Sequence, residues 1–396
     1  MHRLALPLAA LFFVSLSLLA AETKPAEAKP EAKVDKALAK PKAEIARFWV
    51  TPEFLMWWSK DGLAHDLYVL RTTDGSDPFL DNPAAQRLFD NNDQDYGMQL
   101  GGRLTFGMWA DEARKWGFEL SGFALQKKSD RWSGAWTGVG ESVAFSIYDV
   151  ASSNEDAWWI AFPGMPGTIS ISSSSQLWGV EGSGLVNLKR TDNLSLDASF
   201  GVRHLNLSED FIVGSTSLFS VPGLPAEDWW QKDTFEAQNR FFGAKLGLRF
   251  NLTAWERLLV NVEPSVALGA NDESLRIRGA TRVNDLSGPS GFLAMITNIG
   301  DYSKAKFAVV PEIKVGLGCK ITKNLSFMAN YNFLYASNVV RPGSQVSRRH
   351  NIGVDPWWSG TGIPFDPTST PREPAPRFKT TDYWAHGVGV NFKITW

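Results

Sequence analysis

The run KFAVVPEIKVGLGCKI, from Lys306 to Ile321, alternates without interruption. Phe307, Val309, Pro311, Ile313, Val315, Leu317, Cys319 and Ile321 fall on one side of an extended chain. Ala308, Val310, Glu312, Lys314, Gly316, Gly318 and Lys320 fall on the other. Successive strand side chains point to opposite faces of a sheet, so this period of two specifies a β-strand with one apolar and one mixed face. The run is far longer than the ~5–6 residues usual in globular strands. It meets the length of at least ~9–11 residues that a tilted strand needs to cross a bilayer.

The same rhythm recurs along the chain. Phe48, Val50, Pro52, Phe54, Met56 and Trp58 alternate with Trp49, Thr51, Glu53, Leu55 and Trp57. Met98, Leu100, Gly102, Leu104, Phe106 and Met108 alternate with Gln99, Gly101, Arg103, Thr105 and Gly107. Further segments lie at about 116–127, 177–189, 194–213, 236–252, 257–282, 324–337 and 383–396, which gives ten strands. The stretches 143–150 and 167–173 would raise the count to twelve if they formed one more hairpin.

The connections alternate as well. ADEARK, RTDN, TAWE and TKN are short and polar, whereas 59–96, 128–176, 214–235, 283–305 and 338–382 are long. Tight periplasmic turns, long outer loops and an even strand number characterise bacterial outer-membrane barrels. The expected fold is therefore all-β, a transmembrane antiparallel up-and-down barrel spanning residues 47–396. A soluble β-sandwich is the competing reading. The final strand, Val388 to Trp396, is expected to pair with the first, near Phe48–Trp58, because an unpaired edge would otherwise remain.

The start of the chain fits export. Arg3 precedes an apolar stretch from Leu4 to about Ala21, the pattern of a cleaved secretory signal peptide over residues 1–21. Residues 22–46 are mostly Lys, Pro, Ala and Glu, too polar to bury a core, and read as a disordered periplasmic linker. Contact with the cell wall through that linker is one expectation, a plain solvated spacer the other. The 17 Trp and 25 Phe include Trp49, Trp57, Trp58, Trp109, Trp116, Trp178, Trp255, Tyr335 and Trp396 near strand ends, where aromatic girdles are expected to meet lipid headgroups.

The other faces carry Glu53, Arg103, Glu119, Glu181, Arg203, Lys245, Arg249, Glu263, Glu312, Lys314 and Lys393. A Lys or Arg aimed at lipid mid-plane costs ~2–4 kcal/mol, so these charges are expected to face the lumen. A barrel of eight to ten strands is narrow enough for side chains to fill it. Mixed signs then favour ion pairing across a constricted lumen over a wide selective pore.

Several activities find no support. A formal net charge of −2 and no basic patch argue against nucleic acid. Cys319 is the single cysteine, so no disulfide forms within the chain. His2, His65, His204, His350 and His386 lie in no recognisable motif, and no GxSxG occurs, so neither an enzyme nor a cofactor is expected. Asp90 to Asp95, DNNDQD, offers oxygens to Ca²⁺ but lacks the glycine and distal glutamate of an EF-hand, and reads more simply as a polar loop.

Particular segments resemble a known family. RFWVTPEFLMWWSKDG, GGRLTFGMW followed by RKWGFELSGFAL, and SSSSQLWGVEGS are similar to segments of BBP7, the Planctomycetes-type β-barrel porin-7 family. ASFGVRHLNLSEDFIV resembles its Gly-x-Arg-Tyr-x-x-Leu-x-Glu element, with His204 in place of Tyr. FEAQNRFFGAKLGLRF, the Asn-Ile-Gly-x-Tyr motif at Asn298–Tyr302 and YNFLYASNVVRPG at Tyr331–Gly343 extend the match over about 47–396. The resemblance implies an outer-membrane barrel and assigns no ligand or catalytic residue.

Physically, Pro342 and Gly343 end a strand. Tyr302 and Arg341 are expected to pin two outer loops together. The expected partners are outer-membrane lipid and, through the C-terminal strand, the outer-membrane assembly machinery. The expected role is surface-structural, through large outer loops above a narrow or largely closed lumen. A porin-like channel for small solutes is the alternative, and an outer-membrane enzyme the remote one.

Overall fold

Strand after strand in the computed structural model pairs antiparallel with its neighbour. Residues 46–62, 66–90, 94–220, 225–357 and 365–396 are described. The signal-peptide and linker expectations, His65 and the centre of the DNNDQD stretch lie outside them. In chain order the strands are β1 (Phe48–Ser59), β2 (Val69–Thr72), β3 (Gln86–Phe89), β4 (Gln99–Trp109), β5 (Trp116–Leu125) and β6 (Lys128–Trp136). β7 (Ser142–Asp149), β8 (Asn154–Ala161), β9 (Gly167–Arg190), β10 (Leu194–Phe219), β11 (Glu227–Ala254) and β12 (Leu258–Val283) follow. The last are β13 (Leu286–Pro289), β14 (Gly300–Lys320), β15 (Leu325–Val340), β16 (Arg349–His350) and β17 (Thr380–Thr395).

Ten of these close a ring in the order β1, β4, β5, β9, β10, β11, β12, β14, β15, β17. The seam joins β1 to β17, with Trp49 opposite Thr395 and Ser59 opposite Ala385. The additional hairpin considered from the sequence does not enter the ring. Residues 142–149 belong to a separate sheet, and 167–173 begin β9.

Around the ring the outward side chains are apolar over a fixed height. On β14 they run from Leu317 to Phe307, on β11 from Leu252 to Phe242, and on β1 from Phe48 to Trp58. Each span is about ten residue steps, which at ~3.3 Å per residue and a tilt near 40° makes a belt about 25 Å tall. That matches the apolar band of a membrane barrel.

Four strands continue well beyond the belt. β9, β10, β11 and β12 contain 24, 26, 28 and 26 residues. Much of 214–235, read as a loop from sequence, is the paired upper part of β10 and β11. Above Ala270 the outward positions of β12 become Asp272, Ser274, Arg276 and Arg278, while Leu275 and Ile277 stay buried inside. The strand leaves lipid but keeps an apolar inner face.

That inner face is covered by a second sheet, ordered β16, β7, β2, β3 with β8 beside β7. Val69, Phe89, Phe145 and Ile147 from this sheet meet Phe211, Phe235 and Ile277 from the long strands. Phe292, Leu293, Val346 and Ile352 from the intervening segments complete the core of an outer cap.

Candidate functional site

The barrel interior collects the polar chemistry. All eleven charged positions singled out in the sequence lie on ring strands, and most of them join one of two networks.

At mid-height, Arg103 on β4 reaches Glu312 on β14 at 3.2 Å and Glu53 on β1 at 3.8 Å. β4 and β14 stand four places apart in the ring, so this contact crosses the interior. Arg203 on β10 bonds Glu181 on β9 at 2.5 Å and also binds Glu312. Lys245 meets Glu181 at 2.6 Å, and Lys314 meets Glu53 at 3.4 Å. Asn330 donates to Glu53 at 3.0 Å. Gly389 leaves room for Glu53, since a Cβ there would stand 2.4 Å from its Oε1 and displace the carboxylate.

Nearer the short turns, Arg249 contacts Glu119 at 2.7 Å and Glu263 at 2.9 Å. The Trp49 indole donates to Glu119 at 3.3 Å. Lys393 lies 5.2 Å above the Trp49 ring and joins no ion pair among the described residues. Trp49, Trp57 and Trp109 are buried inside, so these three depart from the expected girdle. They share the inward parity of Glu53 and Arg103. Trp58, Trp116, Trp178, Trp255 and Trp396 are exposed on the outside.

Above the mid-height charges the interior turns apolar. Leu205, Phe241, Ala267, Ala308, Val310 and Leu334 form one cluster; Leu55, Trp57, Leu125, Leu177, Leu207 and Tyr383 belong to the next. Between charges and apolar layer lies a cavity of about 10 Å³ lined by Arg103, Ser121, Glu181, Arg203 and Glu312. A void of this order holds about one water molecule.

Higher still, Arg341 makes a bidentate pair with Glu209 at 2.8 and 2.6 Å and donates to the Lys60 carbonyl at 3.0 Å. Two sequence motifs meet here, because Glu209 ends the Gly-x-Arg element and Arg341 opens Arg-Pro-Gly. Tyr302 is not brought to Arg341. Its hydroxyl donates to the Asn298 carbonyl at 2.9 Å, four residues back, so it orders its own turn instead of joining two loops.

The cap contains groups that sequence inspection passed over. Gln345 donates to the carbonyls of Arg341 and Lys379 and accepts from the Lys379 N–H, stapling both arms of the segment between β15 and β17. Asp233, well above the belt on β11, accepts the N–H groups of Leu293 and Ala294 at 3.3 and 2.9 Å. Gly291 alone fits beside it, since a Cβ there would lie 1.9 Å from Asp233 Oδ1. Burial pushes the Asp233 carboxyl up to about 7. Asp355 is raised to about 7 by burial and by Asp233. Burial lowers His350, whose ring nitrogens face the carbonyls of Arg348 and Phe292. No sequence motif marks these groups, because their neighbours come from distant segments. Among the described residues no cluster of His, Cys, Asp and Glu suits a metal ion.

Comparison with solved structures finds distant matches. The outer membrane protease OmpT from Escherichia coli aligns with 10% identity over 91% of this chain and 99% of that one, with a TM-score of 0.43. A Pseudomonas aeruginosa FadL homologue shows 9% identity over 89% and 90%, with a TM-score of 0.27. The P. putida toluene transporter TodX shows 8% identity over 88% and 90%, with a TM-score of 0.20. No curated protein matches the sequence. The profile of the family described as Putative beta barrel porin-7 (BBP7) matches residues 49–396. The chain thus belongs to the BBP7 family of outer-membrane β-barrels.

Proposed function

We propose that this outer-membrane barrel is a closed structural element of the envelope, which displays its folded cap at the cell surface and does not conduct solutes. The observation that carries this reading is the set of side-chain contacts spanning the interior, Arg103 and Arg203 converging on Glu312 from strands on either side. The apolar layer directly above them supports it, since a continuous water path would have to cross Leu205, Phe241, Val310 and Leu334. Interiors packed by their own side chains are what barrels of about this strand number accommodate. The cap core gives the long outer segments a fold of their own, suited to a surface role.

The competing reading, a channel for small solutes, draws on the word porin in the family's description. Conductance separates the two. Folded protein inserted into a planar bilayer is expected to show no steady stepwise current at either polarity. Reproducible unitary steps would overturn the closed-barrel reading.

A further inference from the structure

The four short turns form a rim whose charge and aromatic content are unlike the interior's. Lys115, Lys189, Arg257, Lys320 and Lys323 are exposed on these turns or the strand ends beside them. None of the five has a carboxylate within 4.0 Å among the described residues. The acidic side chains on the turns are Asp111, Glu112, Asp192 and Glu256, and Asp197 just inside the rim is paired with Arg190 at 3.3 Å. Asp111 is occupied within its own turn, accepting the N–H groups of Lys115 and Trp116 at 2.9 Å each. Among the described residues these five cations are therefore in no ion pair, and they outnumber the remaining acidic side chains of the turns, Glu112, Asp192 and Glu256. At the long-loop end, outward Arg276, Arg278 and Arg282 each have a carboxylate within 3.4 Å, while exposed Lys232 and Arg240 have none among the described residues.

The same rim presents indoles at the edge of the apolar belt. Trp116 and Trp396 are half exposed, and Trp255 is 87% exposed at the tip of the β11–β12 turn. Trp255 and Glu256 sit at φ of 45° and 62°, a backbone region that side chains this large rarely adopt. No internal packing explains so exposed an indole. Indoles settle at the headgroup layer, and Lys and Arg extend from a belt edge toward it, where negative lipid attracts them.

We propose that this rim binds the phosphate headgroups of anionic phospholipid in the membrane leaflet on the short-turn side. Lys115, Lys189, Arg257, Lys320 and Lys323 supply the charge, and Trp255 holds the β11–β12 turn at headgroup depth. Selection is for net negative headgroups, because a zwitterionic lipid carries its own cation beside the phosphate.

The test uses the full chain in neutral detergent micelles doped with phosphatidylglycerol or with phosphatidylcholine, counting retained lipid by native mass spectrometry. The expected result is a preference for phosphatidylglycerol of roughly ten-fold or more that falls as salt is added. Combined Lys115→Glu, Lys189→Glu, Arg257→Glu and Lys323→Glu should abolish it, with folding checked by heat-modifiable gel migration. If that variant does not fold, Gln at the same four positions removes the charge without repulsion and should reduce the preference. Arg276→Glu with Arg278→Glu, at the opposite end, should leave it intact. Equal retention of both lipids by the parent protein overturns the proposal. So does an undiminished preference in a folded rim variant, or capture of soluble cell-wall fragments without any lipid preference.

Discussion

The mid-height interior and the outer cap are both filled with side chains, by opposite means. In the barrel, Arg103, Arg203, Glu181 and Glu312 occupy the space as charges that compensate one another. In the cap, Phe145, Phe235 and Phe292 occupy it as hydrocarbon, with Phe145 and Phe292 stacked at 4.1 Å. Charges withdrawn from water keep a fold only while every partner is present, and the loss of one strands the rest. An apolar core degrades in proportion to the surface and volume removed. The interior should consequently fail by single deletions, the cap by graded erosion.

Arg203→Met gives the largest effect on the interior side. It leaves Glu181 and Glu312 short of a guanidinium and should cost about 3–5 kcal/mol in denaturant unfolding of the refolded barrel. It should nonetheless stay non-conducting, because the apolar layer above is untouched. A stable Arg203→Met barrel that conducts would make the charges the seal.

On the cap side, Phe292→Ala should cost about 3–5 kcal/mol by loss of packing. The damage should appear as faster proteolysis of 290–299, with the heat-shifted barrel band unchanged. Collapse of both together would show that cap and barrel are one cooperative unit.

A smaller effect is expected of Asp233→Asn, and it depends on pH. Unfolded, Asp233 loses its proton near 3.8; in the folded cap it holds it to about 7. The native state binds more protons between these values, so this carboxyl makes the cap less stable as pH rises through that window. Asn has no proton to lose and still offers an oxygen to Leu293 and Ala294. The variant's advantage over the parent should therefore grow from about pH 4 to pH 7 and level off above, read by thermal unfolding. His350, held below 6.5, contributes with the opposite sign and is common to both proteins, whereas Asp355, raised in part by Asp233, is relieved in the variant and adds to the same trend. A difference that does not vary with pH would remove Asp233 from the account.

The smallest effect belongs to Arg282→Ala on the exposed outer wall. Its contact with Asp228 is 3.4 Å long and open to solvent, so the change should stay within about 0.5 kcal/mol.

The two regions also differed in how far sequence revealed them. Ring strands were readable because lipid on one side and packing on the other impose a period of two, as from Phe307 to Ile321. The charges were readable as a set, since lipid excludes Arg103 or Glu312 from the outer face. Their partners were not, because Arg103 and Glu312 lie 209 positions apart and strand pairing alone does not oppose them. Beyond the belt the pattern weakened at its outer half, where Arg276 and Arg278 replaced apolar residues while Leu275 and Ile277 kept the inner half. The segment 214–235 consequently looked like a loop. The motifs at Glu209 and Arg341 were visible separately, but only the fold unites them.

The uninterrupted pairing of β10 with β11, from Leu194 opposite Leu252 to Phe219 opposite Glu227, runs from the short-turn rim to the top of the cap. A tug on the cap along the strands would load these rungs side by side, in shear, instead of peeling them one at a time. Along this pair of strands cap and membrane wall share one ladder, so a load on the cap is carried straight into the wall.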